Sequence, residues 1–252
     1  MELNRRDELK GAAVATAGSL TILTGAGTAS AATHPTLQVG SHGSQVLALQ
    51  LRLSWLGYWL PGADGQFGDL TRQAVVAIQK VAGLSRDGTC GPLTWSRVDA
   101  GIRPRARSVR GHVVEIAKAT QTLLIVDSGV VKRIYNASTG SNQRYFQGGN
   151  EHIATTPSGT FRAFRRVNAW DSGSLGSLYR PQYFNGGIAV HGYTSVPSTP
   201  ASHGCCRVSL RALDNLWDVC GSRWNTGGHI CPRLLTRSST EALLRPGTPA
   251  GP

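Results

Sequence analysis

The spacing of apolar positions changes character near residue 111. Before it, apolar residues recur three and four apart: Val46, Leu49, Leu53 and Leu56 fall on one helical face with Gly57 as the stop, and Ala74, Val75 and Ile78 line a second helix that starts near Asp69 or Thr71. Gly91-Pro92-Leu93-Thr94-Trp95 opens a short third helix, with proline where the first turn needs no N–H donor. Asp64-Gly65-Gln66-Phe67-Gly68 and Asp87-Gly88 are turn sequences between these helices. Beyond 111 the runs are short and rich in Val, Ile and Leu. His112 to Ile116, Thr122 to Val126 and Val130 to Ala137 predict strands, the last two joined by a hairpin turn at Asp127-Ser128-Gly129. Ile188, Ala189 and Val190, preceded by Gly186 and Gly187, predict a buried strand ending at His191, and Leu210 to Val219 predicts a helix.

This rhythm divides the chain into a small three-helix domain (36–99), a linker (100–111) rich in Arg with Pro and Gly, a mainly antiparallel, sandwich-like β domain (112–236) and a tail (237–252) expected to be disordered. The fold class is therefore multidomain α and β. The segment 165–185 is longer than a simple connection. It carries Trp170, Tyr179, Tyr183 and Phe184, which suit either a lid or substrate wall, or plain packing.

Residues 1–32 predict an export signal. Asn4-Arg5-Arg6-Asp7-Glu8-Leu9-Lys10 resembles a twin-arginine motif, with Glu8 where Phe is usual; a weakly apolar Gly11 to Thr28 follows, then Ala29-Ser30-Ala31 as a small-x-small cleavage site. The stretch is too rich in Gly and Thr for a stable membrane span. An exported, extracytoplasmic location is expected.

Composition adds one constraint. The chain has 252 residues, 40% of them hydrophobic, and a net charge of +12, enough apolar content for packed cores and a surface that favours an anionic partner. The positive residues are mostly isolated Arg, with no basic helix and no nucleic-acid motif, so an anionic bacterial envelope is expected rather than nucleic acid.

The candidate chemistry lies in residues 186–210, GGIAVHGYTSVPSTPASHGCCRVSL. A strand presents the His191 imidazole, and a loop rich in Ser, Thr and Pro returns the Cys205 thiol towards it. A thiol is only a few per cent thiolate at neutral pH, so a cysteine nucleophile needs such a base or a positive environment. Gly204 permits a tight turn whose amides can converge on a developing oxyanion.

The order I-A-V-H-G, a spacer, then S-H-G-C-x-R-V resembles the active-site signature of the L,D-transpeptidases, cysteine enzymes that cross-link bacterial peptidoglycan. Ser138-Thr139-Gly140, Thr156-Pro157-Ser158-Gly159-Thr160-Phe161, and Tyr179-Arg180-Pro181 with Tyr183-Phe184-Asn185-Gly186-Gly187 fit the same family. Gly40-Ser41, Leu49-Gln50, Gly57-Tyr58, Asp64 to Gly68 and Gly91-Pro92-x-Thr94-Trp95 resemble the small peptidoglycan-binding domain.

The resemblance implies Cys205 as nucleophile and His191 as the base that deprotonates it and the acid that protonates the leaving amine. It implies that His203 and Gly204 shape the turn and lend amides to an oxyanion site. Gly192 stands where some members have Ser, removing any hydroxyl support to His191. Arg207 either holds a substrate carboxylate or packs the loop, Ser202 can orient a histidine, and Tyr183 belongs to the substrate side. No metal or organic cofactor is implied. Peptidoglycan stem peptides and glycan are the implied partners, and carbapenems acylate cysteines of this family. Hydrolysis in place of transfer, giving an L,D-carboxypeptidase, uses the same residues.

Two alternatives remain at this level. His191, His203, Cys205 and Cys206 have zinc-ligand chemistry, although adjacent ligating cysteines are awkward. A noncatalytic wall-binding protein is the other, because the family closes with a strand of the type G-T-x-V-x-V while 220–235, CGSRWNTGGHICPRLL, has no alternating pattern. Of the five cysteines, Cys206 sits at a usually aliphatic position and reads as a small buried hydrophobe, or as a partner of Cys205 in an inactivating disulfide.

Overall fold

A computed structural model describes residues 34–221, 233–237 and 245–246. The expected export signal, Cys231 and most of the tail lie outside these residues. Three helices come first: α1 (Ser44–Trp55), α2 (Asp69–Ala82) and α3 (Pro92–Asp99). Val46, Leu49, Leu53 and Leu56 are fully buried, and Gly57, at φ +86°, ends the first helical segment in a conformation glycine adopts without strain. α2 is buried on nearly every side and is the central helix of the module.

The rest is β, closed by one helix. β1 (Ile102–Arg103) precedes β2 (His112–Ala117), β3 (Thr122–Asp127) and β4 (Val130–Asn136). The expected hairpin joins the last two through Ser128 and Gly129, both at positive φ. β5 (Arg144–Gln147) and β6 (Asn150–Ile153) form a separate hairpin, followed by β7 (Gly159–Phe161), β8 (Arg165–Arg166), β9 (Trp170–Gly173), β10 (Gly176–Asn185), β11 (Ile188–Tyr193), β12 (Cys206–Ser209), α4 (Leu210–Gly221), β13 (Arg233–Arg237) and β14 (Arg245–Pro246). One sheet has the order β4-β3-β2-β13-β7. The other has β12-β11-β10-β8, with β9 also on β10. Pairing is antiparallel except for β2 with β13 and β11 with β12.

The two sheets face each other across a core that includes Val114, Ile116, Leu123, Ile125, Val190, Cys206, Val208 and, from α4, Leu213 and Leu216. The opposite face of the first sheet, through Val113, Leu124, Val126, Val131 and Ile134, shares a second core with the three helices. The described residues thus form three layers: helices, sheet, sheet. β2 and β3 have both faces covered, which is why they read as continuous apolar runs rather than alternating ones. Each fully buried Leu or Ile in these cores stabilises the fold by roughly 1.5–3 kcal/mol.

Three expectations are corrected. The expected linker 100–111 is packed through its middle, where Arg103 is 7% exposed and the amides of Arg107 and Ser108 donate to the fully buried Glu115 carboxylate at 3.0 and 2.6 Å, while Ala100, Arg107 and residues 109–111 are exposed. The segment 165–185 is mostly strand, not loop. The closing strand thought missing is present as β13, between β2 and β7, with Leu234 in the inter-sheet core and Thr236 3% exposed. Within the expected tail, Arg245–Pro246 pairs with β1.

Candidate active site

β11 lies between β10 and β12, and its register with β12 sets Val190 against Cys206 and His191 against Arg207. Strand alternation then separates the chemistry from the core: Val190, Cys206 and Val208 enter the inter-sheet core, while Ala189 and His191 take the other face. Cys205, one residue before β12, brings Sγ to 3.4 Å from the Ala189 amide, two residues before His191 on the same strand.

The turn carrying Cys205 is held from beneath. Ser202 Oγ donates to the Cys205 carbonyl at 2.5 Å and accepts the Gly204 N–H at 3.0 Å. Thr156 Oγ1 donates to the Gly204 carbonyl at 2.6 Å and accepts the Gly140 N–H at 2.9 Å. Gly204 sits at φ +139°, and a Cβ there would lie 3.1 Å from the Thr155 carbonyl oxygen. The Gly204 amide, expected as an oxyanion donor, is therefore engaged by Ser202, leaving the amides of His203 and Cys205 in this turn.

His191 is 1% exposed, and its Nδ1 donates to the Gly192 carbonyl at 2.9 Å. In the neutral ring this leaves Nε2 as the acceptor. Burial pushes the His191 pKa down to about 4, helped by the Arg207 charge and opposed by the Gly192 carbonyl. Burial likewise raises the Cys205 thiol above its ordinary value, against the Ala189 amide and Arg207. The resting site is a neutral thiol and a neutral imidazole. Gly192 supports the ring with a backbone carbonyl in place of a hydroxyl. A Cβ at Gly192 would come within 2.7 Å of Tyr179 Cδ1 and 3.2 Å of Leu210 Cδ2, so serine does not fit without displacing the tyrosine.

Cys205 opens into a cleft of about 590 Å³ that is also lined by His203, Tyr183, Tyr145, Phe164, Arg165 and the β9–β10 hairpin. His191 is not among the lining residues. Gln147 Nε2 donates to Ser174 Oγ, joining the β5–β6 hairpin to the β9–β10 turn. His203 meets Tyr145 edge-on at 4.6 Å. Tyr183 donates to Asp171 Oδ2 at 2.7 Å, and Arg165 pairs with the same oxygen at 2.9 Å.

Of the expected site residues, Cys205, His203 and Tyr183 share the cleft, Ser202 and Gly204 form the turn beneath the thiol, and His191 and Gly192 lie on β11. Arg207 is outside the cleft lining. Its guanidinium stacks 4.2 Å over the Tyr193 ring and donates to the Ala201 carbonyl at 3.2 Å, which favours loop packing over carboxylate binding. The zinc set does not assemble, since Cys206 is fully buried in the inter-sheet core, and among the described residues no three His, Cys, Asp or Glu converge. Arg165, Asp171, Tyr145 and Gln147 were not singled out from sequence; only the length of 165–185 pointed towards the first two. Thr156 and Gly140 lie in motifs that were noticed without a role.

The profile of the L,D-transpeptidase catalytic domain matches residues 111–249, and that of a peptidoglycan binding domain matches residues 42–98. The chain belongs to the L,D-transpeptidase catalytic domain family, with a peptidoglycan-binding module in front. A crystal structure of the L,D-transpeptidase from Xylanimonas cellulosilytica DSM 15894 is 48% identical, with a TM-score of 0.74 over 80% of this chain and 97% of that one. A probable N-acetylmuramoyl-L-alanine amidase from Bacillus licheniformis is 48% identical over 66 residues, 25% of this chain and 19% of the amidase. A zinc D-Ala-D-Ala carboxypeptidase from Streptomyces albus G is 43% identical over 67 residues, 25% of this chain and 26% of that enzyme. The chain thus spans about a fifth to a quarter of these curated relatives, and what it shares with the amidases is the binding module. No helix among the described residues is long and apolar enough to cross a membrane.

Proposed function

We propose that the protein is an exported L,D-transpeptidase that forms 3→3 cross-links between peptidoglycan stems through a thioester on Cys205. Binding of a tetrapeptide donor in the cleft brings the carbonyl of its third residue to Sγ. His191 Nε2 takes the thiol proton as the S–C bond forms, and the amides of His203 and Cys205 receive the developing oxyanion. The C–N bond to the terminal D-alanine breaks, His191 returns the proton to the leaving amine, and a thioester remains. A side-chain amine on the third residue of a second stem then attacks the thioester, giving up its proton through His191 and restoring the thiol. In the resting pair the imidazole is unprotonated at pH 7, but burial that lowers its pKa and raises that of the thiol makes proton transfer uphill, so the transfer must be coupled to S–C bond formation in the occupied cleft.

The observation that carries this reading is the thiol's place: Cys205 opens into a peptide-sized cleft, on a turn fixed by three hydrogen bonds from Ser202 and Thr156, beside the strand that bears His191. On this reading residues 36–99 tether the enzyme to the wall, and residues 1–32 direct its export.

Incubation of purified protein with disaccharide-tetrapeptides, followed by mass spectrometry, is the test. The expected products are a 3→3 dimer and free D-alanine, both lost in Cys205→Ala, and a carbapenem adduct on Cys205 alone. Tripeptide and D-alanine without dimer would make the protein an L,D-carboxypeptidase. Identical muropeptides from parent and Cys205→Ala would leave a wall-binding protein.

A further inference from the structure

The binding module's central helix carries a buried ammonium that no wall-binding role calls for. Lys80, on α2, is 2% exposed, and its Nζ donates to the Gln121 carbonyl at 3.1 Å, Asn136 Oδ1 at 2.5 Å and the Ala137 carbonyl at 2.8 Å. All three acceptors belong to the β domain. An ammonium has three donors, and the three acceptors here match them, which favours the charged form against the burial that, with the Arg86 charge, pulls the Lys80 pKa down to about 7. Gln73, one further residue of α2, accepts from Asn136 Nδ2 at 2.5 Å, fixing the amide that Lys80 uses.

From these acceptors a short path leads to the thiol. Gln121, in the left-handed region at φ +54°, turns its carbonyl to Lys80 while its side chain clamps Thr139, accepting the Thr139 N–H at 2.8 Å and donating to Thr139 Oγ1 at 2.8 Å. The Thr139 carbonyl accepts the amides of Ala201 and Ser202, both at 3.0 Å. Ser202 is the residue whose hydroxyl holds both the Gly204 amide and the Cys205 carbonyl. Ser138 pairs its backbone with Arg207 in both directions, at 2.8 and 3.0 Å. A second grip comes just beyond α2, where Arg86 donates to the Ser198 carbonyl at 3.2 Å, at the far end of the same loop.

We propose that Lys80 is a positioning residue for the Cys205 turn, so that the peptidoglycan-binding module is a structural part of the active site as well as its anchor. Lys80 fixes the chain from Ala137 to Thr139, that chain fixes residues 201 and 202, and Ser202 fixes the turn that aims the thiol. Site geometry of this kind depends on the shell behind the reacting groups, and a shift of about 1 Å in a supporting loop lowers rates on the order of a hundredfold. This inference rests on Cys205 being the nucleophile, but it is read through the thiol itself and so stands or falls separately from the transpeptidase assay.

The full chain carrying Lys80→Met, which keeps the stem length and removes the donors, is compared with the parent in two measurements. One is the rate of Cys205 alkylation by iodoacetamide against pH, localised by tandem mass spectrometry; the other is donor turnover. A loosened turn admits water to the thiol, so the alkylation midpoint is expected to fall by at least about half a pH unit. In turnover kcat is expected to drop about tenfold or more with little change in KM. A role in stability alone lowers the melting temperature and leaves the midpoint where it was; that result overturns the proposal. If Lys80→Met does not fold, Arg86→Gln decides. A lower midpoint in that variant supports the control of the loop by the binding module, and an unchanged midpoint overturns it.

Discussion

Cys205 and Cys206 are adjacent in sequence and lie on opposite sides of their sheet. Cys205 lines the cleft, whereas Cys206 is fully buried between Val190 and Val208 in the inter-sheet core. Burial pushes the Cys206 thiol far above the range in which a thiol ionises. A vicinal disulfide would require one of the two side chains to cross the sheet, so the inactivating oxidation considered from sequence has no geometric basis.

The consequence is measurable. Storage in air is expected to leave activity the same with or without a reductant, and the intact mass should show no loss of two hydrogens. Limited alkylation should label Cys205 and spare Cys206, Cys90 and Cys220, all buried. Cys206→Ala is expected to keep activity and to cost about 1 kcal/mol of stability from the removed sulfur. A Cys205–Cys206 disulfide found by peptide mapping would contradict the placement.

His191 makes stability depend on pH in a defined window. Its pKa is about 4 in the folded protein against 6.5 for an ordinary histidine. Between these values the unfolded chain binds a proton that the native imidazole refuses, so the folded state is favoured by raising the pH. The contribution is fully present above about pH 6.5 and is lost as the pH falls towards 4, on the order of 3 kcal/mol in all. Urea denaturation of the parent and of His191→Gln at a series of pH values isolates it. The gap between the two midpoints is expected to narrow from pH 7 to pH 4, and a gap independent of pH would show that His191 is not buried neutral.

Much of the fold was legible because its signals are local. The three helices follow from periodic apolar residues and their glycine and proline punctuation, and Ser128-Gly129 makes a hairpin because both residues accept positive φ. β13 was missed because Arg-Leu-Leu-Thr-Arg carries no alternation of its own. It is a strand because β2 and β7, about 120 and 75 residues away in sequence, pair with its two edges. The packing of the middle of segment 100–111 was missed for a similar reason, since its arginines look solvated until Arg103 is seen donating to the Val131 carbonyl. In the site, Cys205 and His191 were readable from one ordered motif. Lys80 and Arg86 were not, because a lysine on an amphipathic helix looks like any solvated charge, and what buries it comes from a different layer of the molecule.

Gly140 is where this close packing is most sharply testable. Built as alanine, its Cβ would lie 2.1 Å from the Ala154 carbonyl oxygen and 2.8 Å from the Thr156 amide nitrogen. Both are backbone atoms that no rotamer change can move, so accommodation must shift the chain at 154–156. That shift would also disturb Thr156, whose hydroxyl accepts the Gly140 amide and donates to the Gly204 carbonyl under the Cys205 turn. Gly140→Ala is therefore expected to lose about 3 kcal/mol or more of stability and most of the turnover together, because one contact serves both. Thr156→Val separates the two effects: it keeps the shape, removes both hydrogen bonds, and is expected to lower kcat with a smaller stability loss of about 1–3 kcal/mol. Differential scanning calorimetry with the alkylation assay reads both variants. A Gly140→Ala protein melting within about 2 °C of the parent would mean that the two segments do not approach as closely as described.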